Sequence, residues 1–176
     1  TAFLIPNSVT AIGDYAFYHN DHLKSITIPN SVKTIGKGAF NYCIALQTIT
    51  IPNSVTTIGE GAFAHCRSLS KITLSNNVTA IENATFTDCR SLETIVIPNN
   101  VTSIGIEAFT RCTRLTSVTI PNSVTYIAGM AFSGCSSLAS ITIPTGVTNI
   151  EVEAFALCTS LSTINYKGTE AEWNAI

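Results

Sequence analysis

The chain is short of charge. Of its 176 residues only 11% are Asp, Glu, Lys or Arg, and the formal net charge is -2. Nine Lys and Arg residues make no basic field, so nucleic acid is excluded as a partner, because its binding rests on cations at phosphates. No apolar run approaches the ~20 residues that a spanning helix needs, so direct membrane insertion is not expected. No CxxC pair occurs, and structural zinc sites typically use such close ligand pairs. Neither a metal nor a cofactor is expected. A nucleophile–base–acid set, a phosphate loop and a paired-carboxylate pocket are all missing. Glu151 and Glu153 are expected to be exposed, and the chain is expected not to be an enzyme. It starts at Thr1, inside a repeat, without an initiator Met or a signal-peptide pattern. A processed or excised piece of a longer protein is therefore expected, with more chain upstream.

What the sequence has is repetition. Ile-Pro-Asn-Ser-Val or a close variant begins at residues 5, 28, 51, 97, 120 and 143, and Leu74-Ser-Asn-Asn-Val fills the gap. A period of 23 residues signals a solenoid. From Leu23 each unit opens with alternation: Leu23, Ile26 and Ile28 are apolar, with Ser25 and Thr27 between them. That pattern predicts a short strand with one buried face. Pro29 ends it for want of an N–H, and Asn30-Ser31 supplies turn chemistry. Val32 and Ile35 return inward on a second extended segment, and Gly36 allows the next bend. Ala39, Phe40, Cys43 and Leu46 recur at three- to four-residue spacing, which predicts one or two helical turns held by neighbouring repeats.

Two ladders are expected to form the core. Phe17, Phe40, Phe63, Phe86, Phe109, Phe132 and Phe155 share one position. Ile12, Ile35, Ile58, Ile81, Ile104, Ile127 and Ile150 share another. Residues 1–166 are assigned to about seven repeats, the first truncated, and residues 167–176 to a C-terminal cap. In that cap Trp173 and Ile176 lie three apart behind Glu170, as a short amphipathic helix would place them, and Trp173 is expected to seal the last turn. The repeat at 69–91 departs most from the pattern: Ser75 replaces Pro, Asn77 replaces Ser and Glu82 replaces Gly. Its Phe and Cys continue, so drift is the reading adopted.

The residues Ile28-Pro29, Val32, Ile35-Gly36, Ala39-Phe40 and Cys43 reproduce the signature LPxxVxxIgxxAFxxC. The chain thus resembles the BspA-like leucine-rich repeat family over residues 3–166. The resemblance implies an α/β repeat solenoid: a right-handed arc with a parallel β-sheet on the concave face and short helical or 3-10 turns on the convex face. It also implies a secreted or cell-surface protein associated with adhesion and extracellular protein binding. It carries no catalytic or ligand residues over to this chain.

Six cysteines occupy one column: Cys43, Cys66, Cys89, Cys112, Cys135 and Cys158. Each lies three residues after the core Phe and three before the core Leu. They are expected to face inward as small hydrophobes rather than to form disulfides or hold metal. His19 and His22, beside Asp21, are expected in a solvated loop. His65, Arg67, Asp88, Arg90, Arg111 and Arg114 should stack into one mixed-charge patch. An ordinary solvated edge is the plainer interpretation; an Arg-rich contact for an acidic partner is the functional one. Ser25, Thr48, Lys71, Thr94, Ser117 and Ser140 form one outward strand row, and Thr27, Thr50, Thr73, Val96, Thr119 and Thr142 the next. These rows are the other candidate binding face, although they lack the Tyr, Trp and Arg anchors of tight interfaces. The function expected is a non-enzymatic protein-binding or adhesion solenoid whose ligand is a host extracellular-matrix or cell-surface protein. A structural spacer presenting another domain is the alternative.

Overall fold

A Ser-Ile-Thr triplet in an extended chain can bury only its middle residue, and each interior repeat of the computed structural model does this, whereas the equivalent Phe3 and Ile164 at the two ends stay exposed. The structure describes residues 2–176; Thr1, the first residue of the expected array, lies outside the described residues. Each turn pairs a longer strand with a two-residue one. The first four turns contain β1 (Ala2–Leu4) and β2 (Ala11–Ile12), β3 (Ser25–Thr27) and β4 (Thr34–Ile35), β5 (Thr48–Thr50) and β6 (Thr57–Ile58), then β7 (Lys71–Thr73) and β8 (Ala80–Ile81). Three more contain β9 (Thr94–Val96) and β10 (Ser103–Ile104), β11 (Ser117–Thr119) and β12 (Tyr126–Ile127), and β13 (Ser140–Ile143) and β14 (Asn149–Ile150). After them come β15 (Thr163–Tyr166) and the helix α1 (Glu170–Trp173).

All pairings are parallel and join equivalent residues of successive repeats, as Ile49 with Ile72 and Ile35 with Ile58. The longer strands run β1-β3-β5-β7, then β9-β11 and β13-β15, with β7 beside β9 and β11 beside β13. The shorter strands form β2-β4-β6 and β8-β10-β12-β14 on the adjoining flank. The result is a parallel β-solenoid of about seven turns.

The third side differs from expectation. The spacing of Ala39, Phe40 and Cys43 comes from consecutive β-turns, not from helix. The Ala39 N–H donates to the Gly36 carbonyl at 3.3 Å and the Cys43 N–H to the Phe40 carbonyl at 3.0 Å. The third residue of each turn has positive φ, 56° at Gly38 and 62° at Tyr42, as a type II turn requires. The alternate amides cross between turns: Gly38, Phe40 and Tyr42 donate to Glu60, Ala62 and Ala64 at 2.9, 2.8 and 3.0 Å. A helix would direct those amides back along its own chain; here the neighbouring turn takes them. Among the described residues only α1 is helical.

The core lies between these three sides. Phe40, Phe63, Phe86, Phe109 and Phe132 are fully buried, and their rings stack face to face 5.1–5.8 Å apart. Phe17 and Phe155, at the two ends, are only partly buried. Each ring removes on the order of 150–250 Å² from water, and only an adjacent turn can supply the cover.

The repeat at 69–91 interrupts this regularity. The ladder of short strands breaks between β6 and β8, and the Phe63–Phe86 ring spacing of 5.8 Å is the widest of the stack. Side chains bridge the break. Asn53 Oδ1 accepts the Asn76 N–H at 2.8 Å, and the Ser75 hydroxyl donates to the Val55 carbonyl at 2.5 Å. The Phe and Cys ladders pass through intact.

At the other end, Thr169 and Glu172 form a capping box at the start of α1. Trp173 stands 5.5 Å from the Tyr166 ring but is 37% exposed, and Ile164 is 42% exposed. The helix therefore leans on Tyr166 and does not seal the last turn.

Candidate functional site

The strand rows are placed as expected. Their partners Ile26, Ile49, Ile72, Ile95, Val118 and Ile141 are buried, so alternation turns the other side chains outward. Ser25 and Thr142 are half-buried; Thr27, Thr48, Thr50, Lys71, Thr73, Thr94, Val96, Ser117, Thr119 and Ser140 are exposed. Shallow open grooves separate adjacent strands, one between Lys71-Thr73 and Thr94-Val96 and an equivalent one between Ser25-Thr27 and Thr48-Thr50. Among the described residues of the two rows, Lys71 is the one charged side chain, and none is aromatic.

A different surface is built at the corner where the β-turns meet the Cys column. His19, Tyr42, His65, Asp88 and Arg111 occupy one stacked position, and all have φ between 57° and 62°. Such left-handed residues are uncommon outside glycine. The inter-turn hydrogen bonds fix them: the amides of His19, Tyr42, His65, Asp88 and Arg111 each donate to the next turn. Consequently their side chains leave the backbone in parallel. His19 stacks on Tyr42 at 4.6 Å and Tyr42 on His65 at 4.3 Å. Tyr15 and Tyr18, respectively 48% and 46% exposed, extend this cluster, with Tyr18 meeting Tyr42 edge-on at 6.0 Å.

Asp88 comes next in the column. Its side chain is only 3% exposed and accepts three hydrogen bonds: from Arg90 Nε at 2.6 Å, Arg67 Nε at 2.9 Å and His65 Nδ1 at 3.2 Å. Burial opposes its ionisation, but the bonds from Arg90, Arg67 and His65 outweigh burial and hold its carboxyl below the ordinary value. The side chains of Arg67 and Arg90 are each about half exposed, at 50% and 52%. The cluster joins the third turn to the fourth, across the break between β6 and β8.

The expected six-residue patch is therefore divided. His65, Arg67, Asp88 and Arg90 meet at one carboxylate. Arg114 pairs instead with Glu93 at 2.5 Å, and Arg111 lies beside Gly134 with no ion pair among the described residues. His19 pairs with Asp21 at 3.5 Å. The aromatic part was not singled out from sequence, although the 23-residue register places His19, Tyr42 and His65 in line. The register does not show that these side chains leave the backbone in parallel, which the positive φ at each position provides.

All six cysteines are buried free thiols. Burial pushes the Cys43 thiol up to about 11 and those of Cys66 and Cys89 well above the ordinary value. They belong to the core. Among the described residues no group of three or more His, Cys, Asp or Glu side chains could hold a metal ion, and no helix is long and apolar enough to cross a membrane.

Stacked parallel turns with a periodic Leu, Ile, Phe and Cys core define a leucine-rich-repeat solenoid. The BspA type Leucine rich repeat region matches residues 1–113 and 79–174, in six copies, and the chain belongs to this family. A leucine-rich repeat protein from Bacteroides ovatus ATCC 8483 is 32% identical with a TM-score of 0.77, covering 92% of this chain and 48% of its own. One from Eubacterium ventriosum ATCC 27560 is also 32% identical, with a TM-score of 0.83, covering 92% of this chain and 44% of its own. The chain thus spans about half the length of these two proteins. A leucine rich cell surface protein from Faecalibacterium prausnitzii A2-165, 24% identical with a TM-score of 0.51 over 99% of this chain and 62% of its own, shares the fold. No curated protein matches the chain.

Proposed function

We propose that the array is a non-enzymatic protein-binding scaffold of a secreted or cell-surface protein, and that its ligand is a host extracellular-matrix or cell-surface protein. The observation that carries this reading is the division of labour along the repeat. Most apolar side chains of the interior turns are spent on neighbouring turns, while two outward strand rows and one aromatic–Arg ridge stay open to solvent. Solenoids commonly bind partners through such extended faces. The Faecalibacterium prausnitzii relative, described as a cell surface protein, supports the location. Surface plasmon resonance over immobilised matrix proteins tests the reading: saturable binding is expected, and no binding to any of them overturns it.

A spacer that presents another domain is the second reading. It is favoured by the flat, nearly uncharged strand rows, which offer no anchoring aromatic. Replacing the repeats by an unrelated solenoid of equal length separates the two, because a spacer keeps its parent's binding after the exchange and a binding scaffold loses it.

A further inference from the structure

We infer that the ridge around Asp88 is a preformed docking site for an acidic polypeptide segment, whose carboxylates are received by Arg67 and Arg90. The inference rests on the protein-binding reading above and adds to it a place and a partner chemistry. Asp88 engages each arginine only through Nε, at 2.9 and 2.6 Å, and the terminal amino groups of both have no protein partner among the described residues. A guanidinium held at Nε keeps its outer edge, with two further donors, for a bidentate carboxylate contact. Fixing the two side chains beforehand removes the ordering cost that flexible surface arginines would meet on binding.

Charge is arranged to match. Asp88 is 3% exposed, so its negative charge faces inward, whereas Arg67, Arg90 and the neighbouring Arg111 present theirs to solvent. This cationic spot lies on a protein whose formal net charge is -2. Beside it Tyr42 and Ile44, which is 38% exposed, supply the apolar contact that an interface core needs. Tyr and Arg are both among the residues enriched at binding hot spots. At Tyr42 the ring ladder leaves no face open for a nucleic-acid or sugar ligand. The faces of Tyr42 are already covered by His19 and His65, at 4.6 and 4.3 Å, so neither base nor sugar ring can stack there.

The test measures binding of fluorescein-labelled poly-L-glutamate and of heparin to the folded chain and four variants. Poly-L-glutamate should bind, and Arg67→Gln with Arg90→Gln together should weaken it by roughly tenfold or more, the scale of one lost charge-assisted contact. Asp88→Asn decides between a built site and simple attraction. It makes the ridge more positive, so simple attraction predicts tighter binding, while the site predicts weaker binding because the arginines lose their anchor. Should Asp88→Asn fail to fold, Arg67→Lys and Arg90→Lys keep the charge and remove the fork, and both should weaken binding. Unchanged or tighter binding in Asp88→Asn overturns the inference. So do binding in both Lys variants unchanged from that of the parent chain, no binding of poly-L-glutamate, and binding of heparin alone, which would assign the ridge to a sulfated polysaccharide. Saturable matrix-protein binding together with failure here rejects this site and not the scaffold; the reverse pattern rejects the matrix ligand and not the ridge.

Discussion

The Cys66 thiol donates to the carbonyl oxygen of Phe40, 3.1 Å away and one turn earlier. That carbonyl already accepts the Cys43 N–H within its own turn. The contact recurs from Cys43 on Phe17 to Cys158 on Phe132, so the cysteine column ties each turn to the preceding Phe. A thiol serves here because it fills a small apolar site and still donates a weak hydrogen bond.

Cys43, Cys66 and Cys89 should be silent in the native protein. Burial raises Cys43 to about 11 and Cys66 and Cys89 further, so all three stay protonated near pH 8. Titration with a disulfide reagent should register them only after unfolding. The linkage sign follows from the raised values: their contribution to stability is complete below the unfolded thiol value of ~8.5 and declines as pH rises through the folded one. Denaturation midpoints should therefore fall between about pH 8.5 and pH 11, and fast native labelling of Cys66 would contradict the burial assigned to it.

Phe86→Ala should be costly. Its ring is fully buried between Phe63 and Phe109, so truncation leaves a cavity that two neighbouring turns line. A loss of about 3–5 kcal/mol is expected by urea denaturation. Phe155→Ala should cost less, because that ring is only partly buried. Equal midpoints for Phe86→Ala and the parent chain would contradict the ladder.

Most of the fold was legible because the repeat states each constraint several times over. Ile26, Ile49 and Ile72 announce the strand, and the positions of Phe, Ile and Cys announce the core. The third side was misread for a physical reason: β-turns that close every four residues and helical turns produce the same i, i+3 apolar spacing. What distinguishes them is Gly38 and Gly61, whose φ values are positive, and Tyr42, His65 and Asp88 at the equivalent second position, which hide the same backbone behind ordinary side chains. The candidate site was half legible. The column brought Arg67, Asp88 and Arg90 together, but the single carboxylate on which they converge depends on side-chain reach, which a register cannot supply.

Asp88 should make the junction between the third and fourth turns sensitive to acid. Its folded value is lowered because the hydrogen bonds from Arg90, Arg67 and His65 outweigh the opposing effect of burial. A depressed carboxyl contributes stability above its unfolded value of ~3.9 and loses it as pH falls through the folded value. Asp88→Asn should cost about 1.5–3 kcal/mol at pH 7, the range for hydrogen bonds to a charged group. Urea midpoints of parent and variant should converge below about pH 4, since protonation takes the same charge from the parent. A gap that persists unchanged at pH 3 would show that the ion cluster contributes nothing to the junction.

Gly38 should resist replacement for two separable reasons. Its φ is +56°, and a Cβ there would meet the Tyr15 ring at 2.4 Å. The first reason is backbone strain of about 1 kcal/mol for a side chain in the left-handed region; the second is a collision that the ring can relieve only by leaving its place. Gly38→Ala should therefore destabilise the first two turns, and adding Tyr15→Ala should recover the collision but not the strain. Gly61→Ala provides the reference, because Gly61 has φ +59° and its nearest neighbour, the Ala64 Cβ, is at an ordinary 3.9 Å. Its cost should equal the strain alone. Gly13→Ala, with nothing within 4 Å and no positive φ, should be neutral or stabilising by about 0.4–1 kcal/mol through the unfolded chain. If Gly38→Ala and Gly61→Ala cost the same in urea denaturation, the Tyr15 ring is not packed on that glycine, and the start of the aromatic ridge must be placed elsewhere.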